Sequence, residues 1–218
     1  MRRIILFFTL CFITTFIFAQ NIKGGLTLGF NASQVDGDEV FGYHKYGFNT
    51  GAFATIPVGH NFSVSIETLF NQKGAYQRPW ITDSLSGQYK LILDYLDVPV
   101  LLQYTDKDII KFGAGFSWGR LVTFKEWEHG NRINWINSNG PYKSSDFDIV
   151  VDVQFKLFRG FYYDFRYAYS LGKIRTRTFT NVTGTWTRKQ YNNLITMRLV
   201  YVFKDSKTVR VKKDKDNK

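Results

Sequence analysis

The chain has 218 residues, with 29 Lys/Arg against 18 Asp/Glu (formal charge +11), 44% hydrophobic and 18% aromatic residues, and a single cysteine, Cys11. Much of the charge excess sits at the ends: Arg2 and Arg3 open the chain, and residues 204–218 hold seven Lys/Arg against three Asp, leaving a mild +5 between. That distribution, with no aromatic-basic recognition motif, argues against a nucleic-acid binder, and a thiol confined to the leader excludes a disulfide framework, a thiolate metal site and a cysteine nucleophile from the rest.

Residues 1–19 read as a cleaved signal peptide. Arg2 and Arg3 precede an apolar run from Ile4 to Phe18, and Ala19 is the small residue before a cut that leaves Gln20 first. The run is shorter than the ~20 residues a spanning helix needs. Cys11 lies mid-run after Leu10, which is not where a lipoprotein signal places it.

Eight segments with period-two alternation follow. They are Ile22–Ser33, His44–Ile56, Phe62–Tyr76, Gln88–Tyr104, Ile109–Phe124, Lys143–Phe158, Phe161–Leu171 and Tyr191–Phe203. The clearest runs from Phe147 to Leu157. Its odd positions are all apolar, and its even positions include Asp148, Asp152, Gln154 and Lys156. Connections alternate in length. Pro57–Asn61, Thr105–Asp108 and Arg159–Gly160 are short, while Gln34–Tyr43, Gln77–Gly87, Lys125–Tyr142 and Gly172–Gln190 are long.

This rhythm predicts an all-β fold, an eight-stranded antiparallel up-and-down transmembrane β-barrel with short periplasmic turns and long outer loops. A ten-stranded form follows if Trp127–Ile136 makes its own hairpin around His129-Gly130-Asn131. A soluble β-sandwich would also alternate, but its exposed faces should carry more Lys and Glu than these, and it needs no short/long loop rhythm. One domain, residues 20–203, lies between the leader and a basic tail, 204–218, expected to be disordered in the periplasm. In the fourth segment the apolar parity changes: Tyr89, Leu91, Leu93 and Tyr95 are odd, whereas Leu96, Val98, Val100 and Leu102 are even. With Pro99 adjacent, this predicts a β-bulge near Tyr95–Pro99.

Three stretches carry a family resemblance: Gly47-Phe-Asn-Thr-Gly-Ala-Phe-Ala-Thr-Ile-Pro57, Glu67-Thr-Leu-Phe-Asn-Gln-Lys-Gly74 and Tyr95-Leu-Asp-Val-Pro-Val-Leu-Leu102. With the aromatic-ended last strand at Phe203, they make residues 22–203 resemble the PorT-type outer-membrane β-barrel family of Bacteroidetes. The resemblance implies an outer-membrane location and a link to protein secretion. Its acidic positions map to Glu67 and Asp97. The terminal aromatic resembles the signal read by the barrel-insertion machinery, although here fifteen residues follow it.

Parity assigns Lys23, Glu67, Asp97, Lys111, Asp148, Asp152, Lys156, Asp164, Arg166 and Arg198 to the bore. An eight-stranded barrel has room only for side chains to fill it, so these should form a salt-bridged polar network rather than a conduit or proton relay. The last outer loop carries Lys173, Arg175, Arg177, Arg188 and Lys189 and no acid. With the loop tryptophans Trp127 and Trp135, it is a candidate contact for lipopolysaccharide phosphates or a partner. Asp36-Gly37-Asp38-Glu39 is a fragment of a calcium-like loop and reads as a solvated turn.

No catalytic, cofactor or metal constellation can be named. The expected function is therefore a non-enzymatic outer-membrane barrel with a structural, partner-binding or secretion-accessory role. Its expected partners are outer-membrane lipid and lipopolysaccharide, the insertion machinery and an envelope or secretion protein. A small transport conduit and, further off, an outer-membrane enzyme are the alternatives.

Overall fold

The computed structural model describes residues 22–80, 87–135 and 140–203; the leader and the basic tail lie outside the described residues. Ten strands are present: β1 (Lys23–Asp36), β2 (Lys45–Pro57), β3 (Phe62–Gln77), β4 (Tyr89–Asp106), β5 (Ile110–Glu128), β6 (Asn131–Arg132), β7 (Ser145–Phe158), β8 (Phe161–Ser170), β9 (Arg175–Asn181) and β10 (Gly184–Val202). Eight of them form a ring in the order β1-β2-β3-β4-β5-β7-β8-β10, and β10 closes antiparallel on β1 from Gly25↔Val202 to Asp36↔Tyr191. Closure leaves the ring without an edge. The fold is an all-antiparallel up-and-down barrel.

Both extra strands lie off the ring. The hairpin centred on His129–Gly130 does form, with both residues at positive φ as a two-residue primed turn demands, but β6 pairs only with the tip of β5. It does not widen the barrel to ten strands. The last long connection, expected as a loop, is instead β9 folded back on the first half of β10, from Arg175↔Gln190 to Asn181↔Gly184. This hairpin stands beyond the ring. Its alternation sets Thr against basic and aromatic residues, not apolar against polar, which hides it from a hydrophobic pattern. Thr is a strong strand former, and Thr178–Thr187 and Thr180–Thr185 are hydrogen-bonded across it, each at 3.1 Å.

Strand parity sorts the side chains. On β7, Phe147, Ile149, Val151 and Phe155 face out, while Asp146, Asp148, Val150, Asp152 and Gln154 are buried inside. Leu26, Leu28 and Phe30 on β1, Phe112, Phe116 and Trp118 on β5, and Phe165 and Leu199 on β8 and β10 continue the outer apolar surface. Leu28 is 64% exposed and Arg198 2%. A sheet with its hydrocarbon outside and its charge inside is built for lipid rather than water.

The parity change in β4 has a different cause from the expected one. Every odd residue from Tyr89 to Gln103 faces inward, so β4 keeps its phase. What changes is the surroundings. Toward the short-turn end the interior mixes polar residues such as Asp97 and Gln103 with apolar ones such as Leu101 while the exterior is apolar, whereas toward the long-loop end the interior becomes an apolar core and Lys90 and Asp94 face outward. Such an inversion is what a barrel wall shows where it passes from an apolar surrounding to water. A bulge does occur at this height, but on β5: Asp94 pairs with Thr123 and Tyr95 with Leu121, which leaves Val122 extra. Beyond it the inward residues of β5 are even-numbered, Phe124 and Glu126. Pro99 sits where the β3–β4 ladder skips Glu67 and Thr68, so its missing N–H removes no bond.

Candidate functional site

The bore is filled in layers. The middle layer is one ion-paired cluster. Glu67 on β3 accepts from both guanidinium groups: Arg166 donates Nη1 to Oε2 (3.0 Å) and Nη2 to Oε1 (2.8 Å), and Arg198 donates Nη1 to Oε2 (2.9 Å) and Nη2 to Oε1 (3.1 Å). Arg166 also holds Asp152 at 2.7 Å, and Arg198 Nε holds Asp164 at 2.5 Å. Such double forks are the geometry that makes Arg–carboxylate pairs strong. Gly113 on β5 makes room for Asp152: a Cβ there would fall 2.0 Å from its Oδ1.

Above this layer lies an apolar one, Leu69, Leu101, Val150, Ala168 and Leu194. Next comes a second charged cluster, centred on Lys73. Its ammonium sits 2.6 Å from Asp148, 3.1 Å from Asp146 and 3.3 Å from Asp97, one carboxylate for each N–H, with the Tyr95 ring 4.6 Å away. Asn71 donates to Asp97 (2.6 Å) and Asn192 to Asp146 (2.7 Å), while Ser170 Oγ lies 2.8 Å from Asp146. Asn31, Asn49 and Thr196 extend the network around the ring.

The long-loop mouth is closed by apolar packing. Val35, Val40, Ala75, Tyr89, Leu91, Leu93, Tyr95, Tyr142 and Ile174 form one buried core, with Leu121 and Phe124 against it. At the other end, the cavity between Thr55, Ser65, Gln103, Lys111, Gln154 and Arg198 measures about 10 Å³, the space of a single water.

A third polar cluster ties the outer loops together. Glu126 accepts from Tyr89 (2.9 Å), Trp135 Nε1 (3.2 Å) and Arg175 (2.8 Å), and Arg175 also donates to Tyr142 (2.8 Å). Arg177 pairs with Glu128. Trp186 Nε1 donates to Glu39 (3.0 Å), and the Gly87 N–H to His129 Nδ1 (2.9 Å).

Of the residues assigned to the bore, Glu67, Asp152, Asp164, Arg166 and Arg198 meet in the middle layer, and Asp97 and Asp148 join the Lys73 cluster. Lys111 lies toward the short-turn mouth, over the Tyr162 ring at 4.3 Å; Lys23 and Lys156 stand half-buried beyond it. Lys73 and Asp146 went unread, although both continue parities already visible, Glu67 to Asn71 on β3 and Asp148 to Asp152 on β7. Among the loop candidates, Arg175 and Arg177 turn toward the carboxylates of β5, Trp135 is held by Glu126, and Trp127 faces outward with Lys90 over its ring at 5.3 Å. Lys173 is half-buried, and Arg188 and Lys189 are exposed.

Asp38 corrects the reading of its loop as a solvated turn. It is buried, its Oδ1 accepts the Val40 N–H at 2.8 Å, and burial pushes its carboxyl up to about 7, against the smaller opposing pull of the Val40 N–H and of Arg177. Between the ordinary carboxylate range and about pH 7, the folded loop keeps a proton that the unfolded chain has lost. The loop's stability therefore falls as pH rises through that window and stays low above it. Protease nicking within residues 37–44 is expected to be faster at pH 8 than at pH 5, and Asp38→Asn should remove the difference.

A family model for the outer membrane protein beta-barrel domain matches residues 18–175. Among solved structures, the chain is similar to Ail, the attachment invasion locus protein of Yersinia pestis (14% identity, covering 83% of this chain and 98% of that one, TM-score 0.49). It is also similar to Neisserial surface protein A (12% identity, 83% and 97%, TM-score 0.48) and to the outer membrane protein OprG from Pseudomonas aeruginosa (12% identity, 83% and 94%, TM-score 0.34). No curated protein matches.

Proposed function

The chain belongs to the outer membrane protein beta-barrel domain family, and on that premise we propose that it is a closed, non-enzymatic barrel of the outer membrane that holds a rigid set of outer loops at the cell surface. The observation that carries this reading is the filled bore: two ion-paired layers, an apolar layer between them and an apolar plug at the long-loop mouth. A small barrel whose interior is packed with paired charge acts as an anchor. The cross-ties from Glu126, Glu128 and Glu39 to Arg175, Arg177 and Trp186 support a preformed platform for a partner.

In this reading residues 1–19 are a cleaved signal peptide, the short turns face the periplasm and the long loops face outward. The stretches around Gly47–Pro57, Glu67–Gly74 and Tyr95–Leu102 support a PorT-like, Bacteroidetes-type assignment within the family, and with it an accessory role in secretion and assembly by the barrel-insertion machinery. Arg175 and Arg177 serve the platform, whereas Arg188 and Lys189 stand exposed on the last outer hairpin and Lys173 is half-buried before it.

Planar-bilayer recording tests the closed bore. The purified, refolded protein is expected to leave the membrane at baseline current. Discrete single-channel steps would instead make it a conduit.

A further inference from the structure

The boundary between apolar wall and water is unlike on the two sides of the barrel. Around β8, β10 and β1, tyrosines stand there: Tyr169 stacks on Tyr191 (6.2 Å), and the Tyr43 hydroxyl donates to Asn193 (2.8 Å), as expected of an aromatic girdle. Around β5 and β7, cations take that place. Trp118 and Phe147 are cross-strand partners on the outer face, 45% and 56% exposed. The next outward pair toward the long-loop end is Arg120↔Ser145, and Lys143 follows.

The Lys143 N–H bonds to the Ile174 carbonyl (2.7 Å) and the Leu171 N–H to the Phe147 carbonyl (2.7 Å), which brings the Gly172–Lys173 turn alongside. These segments border an outward groove of about 470 Å³ lined by Tyr142, Lys143, Ser144, Ser145, Phe147, Gly172 and Lys173, with Arg120 and Trp118 beside it as the cross-strand partners of Ser145 and Phe147.

The chemistry of the groove selects its occupant. Among the described residues, neither Arg120, Lys143 nor Lys173 has a carboxylate partner. Asp146, the acid nearest in sequence, points into the bore and is held by Lys73, Ser170 and Asn192. Asp94, on the far side of β5, is held by Gln72 at 2.8 Å. Three cations without counter-charge, two serine hydroxyls and an aromatic wall running down into the apolar belt together fit one amphiphile. We propose that this groove binds the phosphate of an outer-leaflet lipid, with Arg120, Lys143 and Lys173 around the phosphate and an acyl chain along Trp118 and Phe147. The proposal rests on the membrane-barrel reading above and moves the lipid contact from the hairpin tip to the β5–β7 wall.

The test is binding of diphosphoryl lipid A, in detergent, to the folded protein and to the R120Q/K143Q/K173Q variant, read by native mass spectrometry. Dephosphorylated lipid A and inorganic phosphate are the comparison arms, and an R188Q/K189Q variant checks the hairpin. The triple variant is expected to lose about tenfold in affinity, a difference of about 1.4 kcal/mol. Dephosphorylated lipid A should bind correspondingly weaker, millimolar inorganic phosphate should not compete, and the hairpin variant should bind as the parent does.

All three changed side chains lie on the outer wall, away from the packed bore, so the heat-modifiable shift of a folded barrel on gels should survive. The single variants K143Q and K173Q, each expected to bind measurably weaker than the parent, repeat the test should the triple fail to fold. Equal binding by parent and triple, equal binding of dephosphorylated lipid, or displacement by free phosphate would overturn the proposal. A parent protein with no heat-modifiable band would instead refute the barrel reading beneath it.

Discussion

Lys73→Met is expected to be the most damaging single substitution in the bore. One ammonium holds Asp97, Asp146 and Asp148 in a layer closed by Leu69, Leu101 and Leu194 on one side and by the plug of Leu91, Leu93 and Tyr95 on the other. Removing it leaves three buried carboxylates facing one another with no cation. Breaking a buried pair by deleting one partner costs roughly 3–5 kcal/mol, and here one deletion breaks three. The loss should appear in urea unfolding of the protein in lipid vesicles, as a lower midpoint or a failure to insert. The effect should be lopsided: Asp148→Asn leaves the ammonium two carboxylates and relieves like-charge repulsion, so it should cost far less. Adding Asp97→Asn and Asp148→Asn to the Lys73→Met variant should restore most of the loss. A Lys73→Met barrel as stable as the parent would show that the charges of this layer contribute no net stability.

Glu67→Gln is the second large effect. The carboxylate is the shared acceptor of four N–H groups from Arg166 and Arg198, and without its charge the two guanidinium groups face each other with only Asp152 and Asp164 to hold them. A loss of roughly 3–5 kcal/mol is expected from the same asymmetry. The pairing itself is measured by a double-mutant cycle. Glu67→Gln with Arg198→Met should cost less than the sum of the two single changes, by on the order of 0.5–3 kcal/mol. Strict additivity would mean that the two side chains do not share one network.

Period-two alternation was sufficient to read the ring. On β7 the odd apolar and even polar positions follow from one requirement, that a strand with hydrocarbon outside and charge inside alternates. The same rule places Glu67, Asp152, Asp164, Arg166 and Arg198 inside one bore. It cannot say which of them touch, since contacts depend on the stagger of eight strands, and residues as far apart as Glu67 and Arg198 meet only after closure.

The ladder irregularity expected beside Tyr95 does occur, but the apolar parity flip of β4 has another source. An apolar parity that flips along a strand has two physical causes, an extra residue or a change of surroundings. On β4 it is the second, with Leu91, Leu93 and Tyr95 packing a small interior core at the long-loop end while Val100 and Leu102 face outward toward the short-turn end. The extra residue, Val122, sits on β5, where a run of Leu, Val, Thr and Phe shows no clear break in alternation. The outer hairpin escaped notice for a related reason. An exposed ribbon has no apolar face, and the carboxylates that engage Arg175 and Arg177 lie about fifty residues earlier, on β5.

The central claim is that lipid meets one face of each ring strand while the other face packs a closed interior. Single cysteines placed in turn from Phe147 to Phe155 on β7, in a protein otherwise free of thiols once residues 1–19 are removed, can be labelled with a small fluorophore and reconstituted with brominated lipids. Quenching should alternate, strong at 147, 149, 151, 153 and 155 and weak at 148, 150, 152 and 154. Uniform quenching, or none at the odd positions, would contradict the claim.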